Sequence, residues 1–149
     1  MIGGGSNFTE LERQVRDRGL APSFGFLPYQ DRDRLKYSLG APDVHWLSLR
    51  PELEGLIVPS KFYGIAAAGR PIIAITTPDG EIARLVERHR CGLCIEPGNG
   101  AQLADAILDL QKNPQAVVEM GQRARAMLDA HFTRRAALAA WSRLLAGLA

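Results

Sequence analysis

Two periodicities of apolar residues alternate along the chain. Short apolar runs, typical of buried strands, separate segments whose apolar residues recur every three or four positions, as on one helical face. The pattern predicts strands at 23–27, 43–49, 71–75 and 92–95, and helices at 7–18, 31–40, 60–68, 79–89, 101–112, 114–130 and 133–147. This alternation predicts an α/β fold: a Rossmann-like parallel sheet with right-handed crossovers and helices on both faces.

The same pattern predicts which side chains are buried. The nearly continuous apolar content of 43–49 predicts a strand that is buried on both faces. A helix cap is expected at Thr133, which precedes the last helical segment. Inward-facing residues are expected at Ile82, Leu85 and Val86 in one helix, at Leu103, Ile107 and Leu110 in the next, and at Leu138, Trp141 and Leu145 in the last.

Composition limits the class of protein. A length of 149 residues is enough for one domain with its own core, without disulfides or metal. The net charge is +2 with both signs interspersed, which argues against a nucleic-acid-coating protein. Apolar runs stay below the roughly 18 residues that a membrane span needs, and the N-terminus has no apolar signal segment. A cytoplasmic location is therefore expected.

The first residues, MIGGG, read like the end of a strand followed by a glycine turn. Because nothing precedes them, the chain is expected to begin inside a fold. The alternative interpretation is a flexible leader that is unrelated to the fold.

The candidate binding chemistry lies between 48 and 61. This stretch links a strand to a helix, and open α/β sheets bind ligands in such loops. A helix N-terminus offers free N–H groups and partial positive charge to a phosphate. Ser60 contributes a hydroxyl and Lys61 a full charge at that point, and the carboxylate of Glu54 beside Gly55 suits sugar hydroxyls. This combination indicates a nucleotide-sugar pocket. An ordinary solvated lysine and an exposed glutamate are the structural alternative.

Several segments, in this order, resemble the C-terminal, donor-binding domain of retaining GT-B glycosyltransferases, of the group 1 or family 4 type. They are "IGGGSNFTELERQVRDRGL", "FGFLPYQDRDRL", "APDVHWLSLRPELEGLIVPSKFYGIAAAGRPIIAI", "GEIARLVERHRCGLCIEPGNGAQLADAI" and "MGQRARAMLDAHFT". The resemblance covers nearly the whole chain. It implies a single domain over 1–149 that forms one half of a GT-B fold.

The resemblance also implies site residues. The sugar or its phosphate would meet Glu54 and Gly55. The pyrophosphate would be held by backbone N–H groups around Ser60, Lys61 and Phe62. The nucleotide base and ribose would lie near Leu27, Pro28, Tyr29 and Gly64.

Two departures from the family pattern stand out. The family usually has a second, ribose-binding glutamate where this chain has Gly64, and its spacing from Glu54 is longer than usual. The arginine and lysine that neutralise the leaving diphosphate in the family lie on segments that would precede residue 1. The chain therefore resembles a part of an enzyme that lacks its first strand–helix unit and the N-terminal acceptor domain, and alone it is expected to be inactive.

For the full enzyme, the resemblance implies transfer of a sugar from a UDP-, GDP- or ADP-sugar to an acceptor hydroxyl with retention, in cell-surface polysaccharide or glycolipid synthesis. No metal or other cofactor is expected, because positive groups would stabilise the departing diphosphate. Many members of the family modify lipid-linked acceptors, which leaves open a peripheral membrane contact.

Other candidate motifs carry less weight. Cys91 and Cys94 lack the second ligand pair of a structural zinc site and lead into a strand, so two buried or half-buried thiols are expected. His45, His89 and His131 are separated in sequence and show no partner.

Two other functions are compatible with parts of the sequence. One is a non-catalytic nucleotide-binding or interaction module on the same half-fold, which Gly64 slightly favours. The other is a fragment of a nucleotide-sugar epimerase, for which the expected acids and histidines are missing.

Overall fold

The computed structural model describes residues 1–5 and 7–147. These residues form two compact units, Met1–Ser38 and Leu39–Ala149, which are described separately. Helix α2 (Leu35–Gly40) follows a short 3-10 turn and crosses the boundary between them.

The first unit contains helix α1 (Phe8–Asp17) and a 3-10 turn at Ala21–Ser23. Val15 is buried on α1, and the rings of Phe8 and Phe26 pack edge to face with centroids 5.4 Å apart. The predicted strand 23–27 is wrong. Its first residue belongs to the 3-10 turn, which Pro22 favours through its fixed φ, and pairing is limited to a single parallel bridge between Ile2 and Leu27.

The second unit contains a three-stranded sheet in the order β1-β2-β3. The strands are β1 (His45–Ser48), β2 (Ile72–Ile75) and β3 (Gly92–Ile95), and all neighbours are parallel. Gly92 is required by this pairing, because a Cβ at that position would lie 1.8 Å from the carbonyl oxygen of Ile72.

Helices separate the strands and follow the last one. The crossovers are α3 (Ser60–Ala67) and α4 (Glu81–His89), and the remaining helices are α5 (Gly100–Lys112), α6 (Pro114–His131) and α7 (Arg134–Ala146). The predicted cap is confirmed, since the Thr133 hydroxyl accepts a hydrogen bond from the Ala136 amide at 3.1 Å.

The core of the second unit lies on both faces of the sheet. Because side chains alternate along a strand, Ile72 and Ala74 join one cluster while Ile73 joins the other. The first cluster includes Phe62, Ile65, Ile82, Leu85 and Val86 from α3 and α4, and the second includes Ile95 and Leu110. The predicted inward face of α4 and the covering of both sheet faces are confirmed.

Helix α6 packs directly on α3 and α4. At Gly121, an added Cβ would lie 2.2 Å from the carbonyl oxygen of Gly69, so the backbones meet there. Arg125 donates to the Ala67 carbonyl at 2.9 Å, and Arg123 donates to the Arg90 carbonyl at 2.7 Å. Arginine donors are suited to the free carbonyls at helix C-termini. These arginines therefore hold α6 against the C-terminal ends of both helices.

Three predictions about burial are wrong. Trp46 in β1 is 48% exposed, because α3 packs on the side of Leu47 while α5 and α6 pack against β3. In α7, Leu138, Trp141 and Leu145 are 58 to 62% exposed. Helix α7 contacts α6, yet this apolar face stays uncovered among the described residues. In α5, Ile107 is also exposed, whereas Leu110 is buried.

Candidate functional site

The carboxyl ends of the parallel strands define one edge of the sheet. The loops after β1, β2 and β3 leave this edge and lead into the N-termini of α3, α4 and α5. Each N-terminus presents backbone N–H groups without partners inside the helix. An anion can therefore bind most readily at an N-terminus whose N–H groups are not already bonded to a protein oxygen.

Two of the three N-termini are capped by side chains. The Asn99 side chain accepts a hydrogen bond from the Gln102 amide of α5 at 3.0 Å. At α4, the carboxylate of Glu54 accepts from the Glu81 amide at 2.9 Å. Both caps come from side-chain oxygens, as expected for polar residues near a helix start.

The N-terminus of α3 differs. Its N-cap residue is Pro59, and within residues 1–5 and 7–147 no side chain caps this end. The Phe62 amide donates to the Pro59 carbonyl at 2.9 Å, whereas the amides of Ser60 and Lys61 have no acceptor among the described residues. Of the three helices that begin at the carboxyl edge, α3 is therefore the one without a side-chain cap among the described residues.

The predicted phosphate-binding residues fall at this tip. Ser60 and Lys61 are exposed, whereas the Phe62 side chain is fully buried in the core. Phe62 thus fixes the start of α3, and its amide, a predicted phosphate donor, is already bonded to the Pro59 carbonyl. A positive ammonium beside free N–H groups at a helix N-terminus provides an electrostatic environment that favours a phosphate.

The predicted sugar-binding residue Glu54 lies in the loop that precedes α3. Its two carboxylate oxygens accept hydrogen bonds from the Glu81 amide and, at 3.3 Å, from the Thr76 hydroxyl. Gly55 has a φ of 76°, a left-handed conformation that glycine adopts without strain. The loop therefore turns sharply immediately after Glu54.

The remaining predicted residues lie in two places. Gly64 is half-buried in α3, where an added Cβ would lie 3.3 Å from the Leu39 side chain, so a larger residue would need that side chain to move. Leu27, Pro28 and Tyr29 belong to the first unit and are exposed. There the Tyr29 hydroxyl donates to the Gly4 carbonyl at 3.3 Å, so the predicted base-binding loop adjoins the glycine turn.

The cysteines are as the sequence predicts. Cys91 is buried and Cys94 half-buried, and both are free thiols. Burial raises the pKa of Cys91 to about 11 and also raises the pKa of Cys94. Thiols of this kind are poor nucleophiles and poor metal ligands, because both functions need the thiolate.

The histidines are partly misjudged from the sequence. The rings of His89 and His131 lie 5.4 Å apart, although the sequence shows no partner for either residue. Burial, followed by the charges of His131 and Arg88, lowers the pKa of His89. His45 is half-buried in β1, with Nε2 2.8 Å from the Leu39 carbonyl oxygen, as expected for a packed strand residue.

Parallel strands with helices on both faces, and a free helix tip at their carboxyl edge, define the Rossmann-like class of folds. Within that class, the chain matches the family model described as glycosyl transferases group 1 over residues 1–127. The chain belongs to this family. The resemblance to the C-terminal domain of a group 1 glycosyltransferase, seen in the sequence, is confirmed.

Individual relatives agree with this assignment. The chain is 34% identical to the probable glycosyltransferase WbjE of Pseudomonas aeruginosa over 84 residues. These residues are 56% of this chain and 20% of WbjE. Sucrose-phosphate synthase from Thermosynechococcus elongatus superposes with a TM-score of 0.80 at 22% identity, over 99% of this chain and 37% of that one. The fold is that of half a GT-B glycosyltransferase.

A further structural relative is Anabaena HepE, solved with UDP and with UDP-glucose. The UDP complex superposes with a TM-score of 0.79 at 22% identity, over 98% of this chain and 40% of HepE. The UDP-glucose complex gives a TM-score of 0.74. The chain thus spans about a fifth of its curated relative WbjE and about two fifths of these structural relatives.

No helix among the described residues is both long and apolar enough to cross a membrane.

Proposed function

We propose that this chain is the nucleotide-sugar-binding part of a retaining glycosyltransferase, which moves a sugar from a nucleoside diphosphate donor to an acceptor hydroxyl. The observation that carries this proposal is the family match, which spans residues 1–127. HepE, which shares the fold, has been solved with UDP and UDP-glucose, which supports a nucleotide sugar as the ligand. The proposed setting is cytoplasmic synthesis of cell-surface polysaccharide or glycolipid.

We propose that the donor diphosphate binds at the N-terminus of α3. The amides of Ser60 and Lys61 have no capping side chain among the described residues, and Lys61 adds a full positive charge to the first turn of the helix. By contrast, the N-termini of α4 and α5 are already capped by Glu54 and Asn99. A doubly charged diphosphate would gain most where amides and a cation are both free.

The chemical role of this tip would be electrostatic. Cleavage of the bond between sugar and diphosphate builds negative charge on the departing phosphate, and fixed N–H groups with Lys61 would stabilise that charge. The mechanism proposed for the full enzyme needs no metal. Further positive groups and the acceptor site are expected from the protein beyond this chain, which covers 37 to 40% of its structural relatives.

The binding step is tested by isothermal titration calorimetry of the chain with UDP, GDP, ADP and their glucose conjugates. We expect one nucleotide to bind, and Lys61→Ala to weaken it about tenfold, since a hydrogen bond to a charged group is worth about 1.5–3 kcal/mol before solvent screening. Lys112→Ala is the matched control, because Lys112 is an exposed lysine at the far end of α5 with the same charge.

The loss caused by Lys61→Ala should shrink as salt is raised from 50 to 500 mM, because an exposed lysine is screened. If none of these nucleotides or conjugates binds, the chain does not contain a donor site of the proposed kind. Equal affinities for Lys61→Ala and Lys112→Ala would count against the α3 tip. If a longer protein containing this chain binds the nucleotide and transfers no sugar, a non-catalytic module is the better description.

A further inference from the structure

The Glu54 carboxylate is engaged on both sides by the protein itself. Oε1 accepts the Glu81 amide at 2.9 Å, and Oε2 accepts the Thr76 hydroxyl at 3.3 Å. Thr76 is almost fully buried directly after β2, so its hydroxyl cannot reach a bound ligand. Glu54 therefore links the loop after β1 to the loop after β2.

The backbone at the start of α4 leaves space for the Glu54 carboxylate. The N-cap of α4 is Gly80, which has no side-chain oxygen, and a Cβ added there would lie 2.6 Å from Oε2 of Glu54. A residue larger than glycine would displace the carboxylate. Its negative charge also lies at the positive end of α4, which stabilises it in this position.

The segment between Glu54 and α3 has few other restraints. Leu56 and Val58 are 75% and 67% exposed, so their side chains contribute little packing. Ile57 is also exposed. The hydrogen bonds of Glu54 to Thr76 and Glu81 restrain the chain immediately before this segment. The segment then leads into the amides of Ser60 and Lys61.

We propose that Glu54 is a positioning residue, which orders the loop before α3 through Thr76 and the start of α4. This inference rests on the proposed function, because its consequence is that the diphosphate-binding tip is held in place. It differs from the role implied by family resemblance, in which Glu54 itself contacts the sugar. Both oxygens of Glu54 have protein partners, whereas the tip has none among the described side chains.

The test compares Glu54→Gln, Glu54→Ala and Thr76→Val in the full chain. Each variant is titrated with the nucleotide that the wild type binds best among UDP, GDP and ADP, and with its glucose conjugate. Thr76→Val removes one of the two hydrogen bonds and Glu54→Ala removes both, so each of these variants should weaken both ligands equally, by roughly 2- to 10-fold. Glu54→Gln, which keeps an acceptor oxygen, should fall between the wild type and Glu54→Ala.

Two further comparisons separate positioning from simple folding effects. The double variant Glu54→Ala/Thr76→Val should bind no more weakly than Glu54→Ala alone, because the two residues act through one contact. Glu52→Gln is the matched control, since it removes an exposed carboxylate from the same short turn. Each variant that folds is titrated well below its own unfolding temperature. A lower Tm with unchanged affinity would mean that Glu54 acts only as a helix cap.

The outcomes distinguish the alternatives. If Glu54 contacts the sugar directly, Glu54→Ala weakens the glucose conjugate alone, Thr76→Val changes neither ligand, and the inference is overturned. If the wild type binds and no variant differs from it, the positioning role fails while the proposed function stands. If the wild type binds no nucleotide, the proposed function fails first and the inference with it. Should Glu54→Ala not fold, Thr76→Val and Glu54→Gln decide the question.

Discussion

The close contact between α6 and the end of α3 makes a quantitative prediction for Gly121→Ala. In an open helix, this substitution stabilises by up to about 1 kcal/mol, because alanine is the better helix former. Here the new methyl group would lie 2.2 Å from the carbonyl oxygen of Gly69 and 3.0 Å from its carbon. Ordinary contact begins near 3.4 Å, so the backbones would have to separate by about 1 Å.

The Gly69 carbonyl has little freedom to move away. Gly69 has a φ of 66°, and its amide donates to the Ala66 carbonyl at 3.0 Å, so the end of α3 is fixed. Because the clash is with backbone, we expect the steric cost to exceed the helix-propensity gain, with a net loss of about 1–3 kcal/mol. For a chain of this size that lowers Tm by about 2–4 °C per kcal/mol.

The assay is thermal unfolding followed by far-UV circular dichroism, with urea unfolding as a second measurement. Gly100→Ala is the matched control, since Gly100 lies in α5 and an added Cβ meets nothing within 4 Å. The control should match or slightly exceed the wild type. A folded Gly121→Ala protein with a Tm at or above the wild-type value would refute the reasoning, because the backbones would then have room for a methyl group.

Three further predictions concern the core and the titratable groups. Phe62→Ala should lower the free energy of unfolding by about 3–5 kcal/mol in urea titrations, because it empties a fully buried ring site; a loss below 1 kcal/mol would mean that the site collapses easily. Burial raises the pKa of Cys91 to about 11 and raises that of Cys94, so both thiols should react with iodoacetamide at pH 8 only after unfolding, and rapid labelling of the native chain would contradict this. The pKa of His89 is lowered by burial and by His131 and Arg88, so the unfolded state binds the proton more readily. Stability should therefore decrease as pH falls through about 6.5, and His89→Gln should flatten that slope in pH-dependent Tm measurements, whereas an unchanged slope would exclude His89 as its source.

The sequence predicted the elements of the second unit well because their patterns are strongly periodic. All three strands and the helices from α3 to α7 fall where the apolar repeats place them. The failures concern what covers each face, which periodicity does not encode. Trp46 and the apolar residues of α7 have the right spacing for burial, yet no element among the described residues covers them. In the first unit, a short apolar run resembled a strand but formed a single bridge.

The candidate site was only partly predictable. Ser60 and Lys61 at a helix start can be identified from local sequence, because a strand–loop–helix pattern fixes their position. The partners of Glu54 cannot, since Thr76 and Glu81 are distant in sequence and are brought together only by parallel pairing of β1 and β2. The approach of His89 to His131 was missed for the same reason, because it depends on how α4 and α6 pack.

The positions of the two tryptophans have a practical consequence for spectroscopy. Trp46 lies 48% exposed on β1, and Trp141 lies 62% exposed on α7. Both indoles are already partly hydrated in the folded chain, so the intrinsic fluorescence of the native protein should be red-shifted and should change little on denaturation. Replacing the fully buried Phe62 with tryptophan would give an emission signal that reports on the interior directly, provided that the larger ring is accommodated.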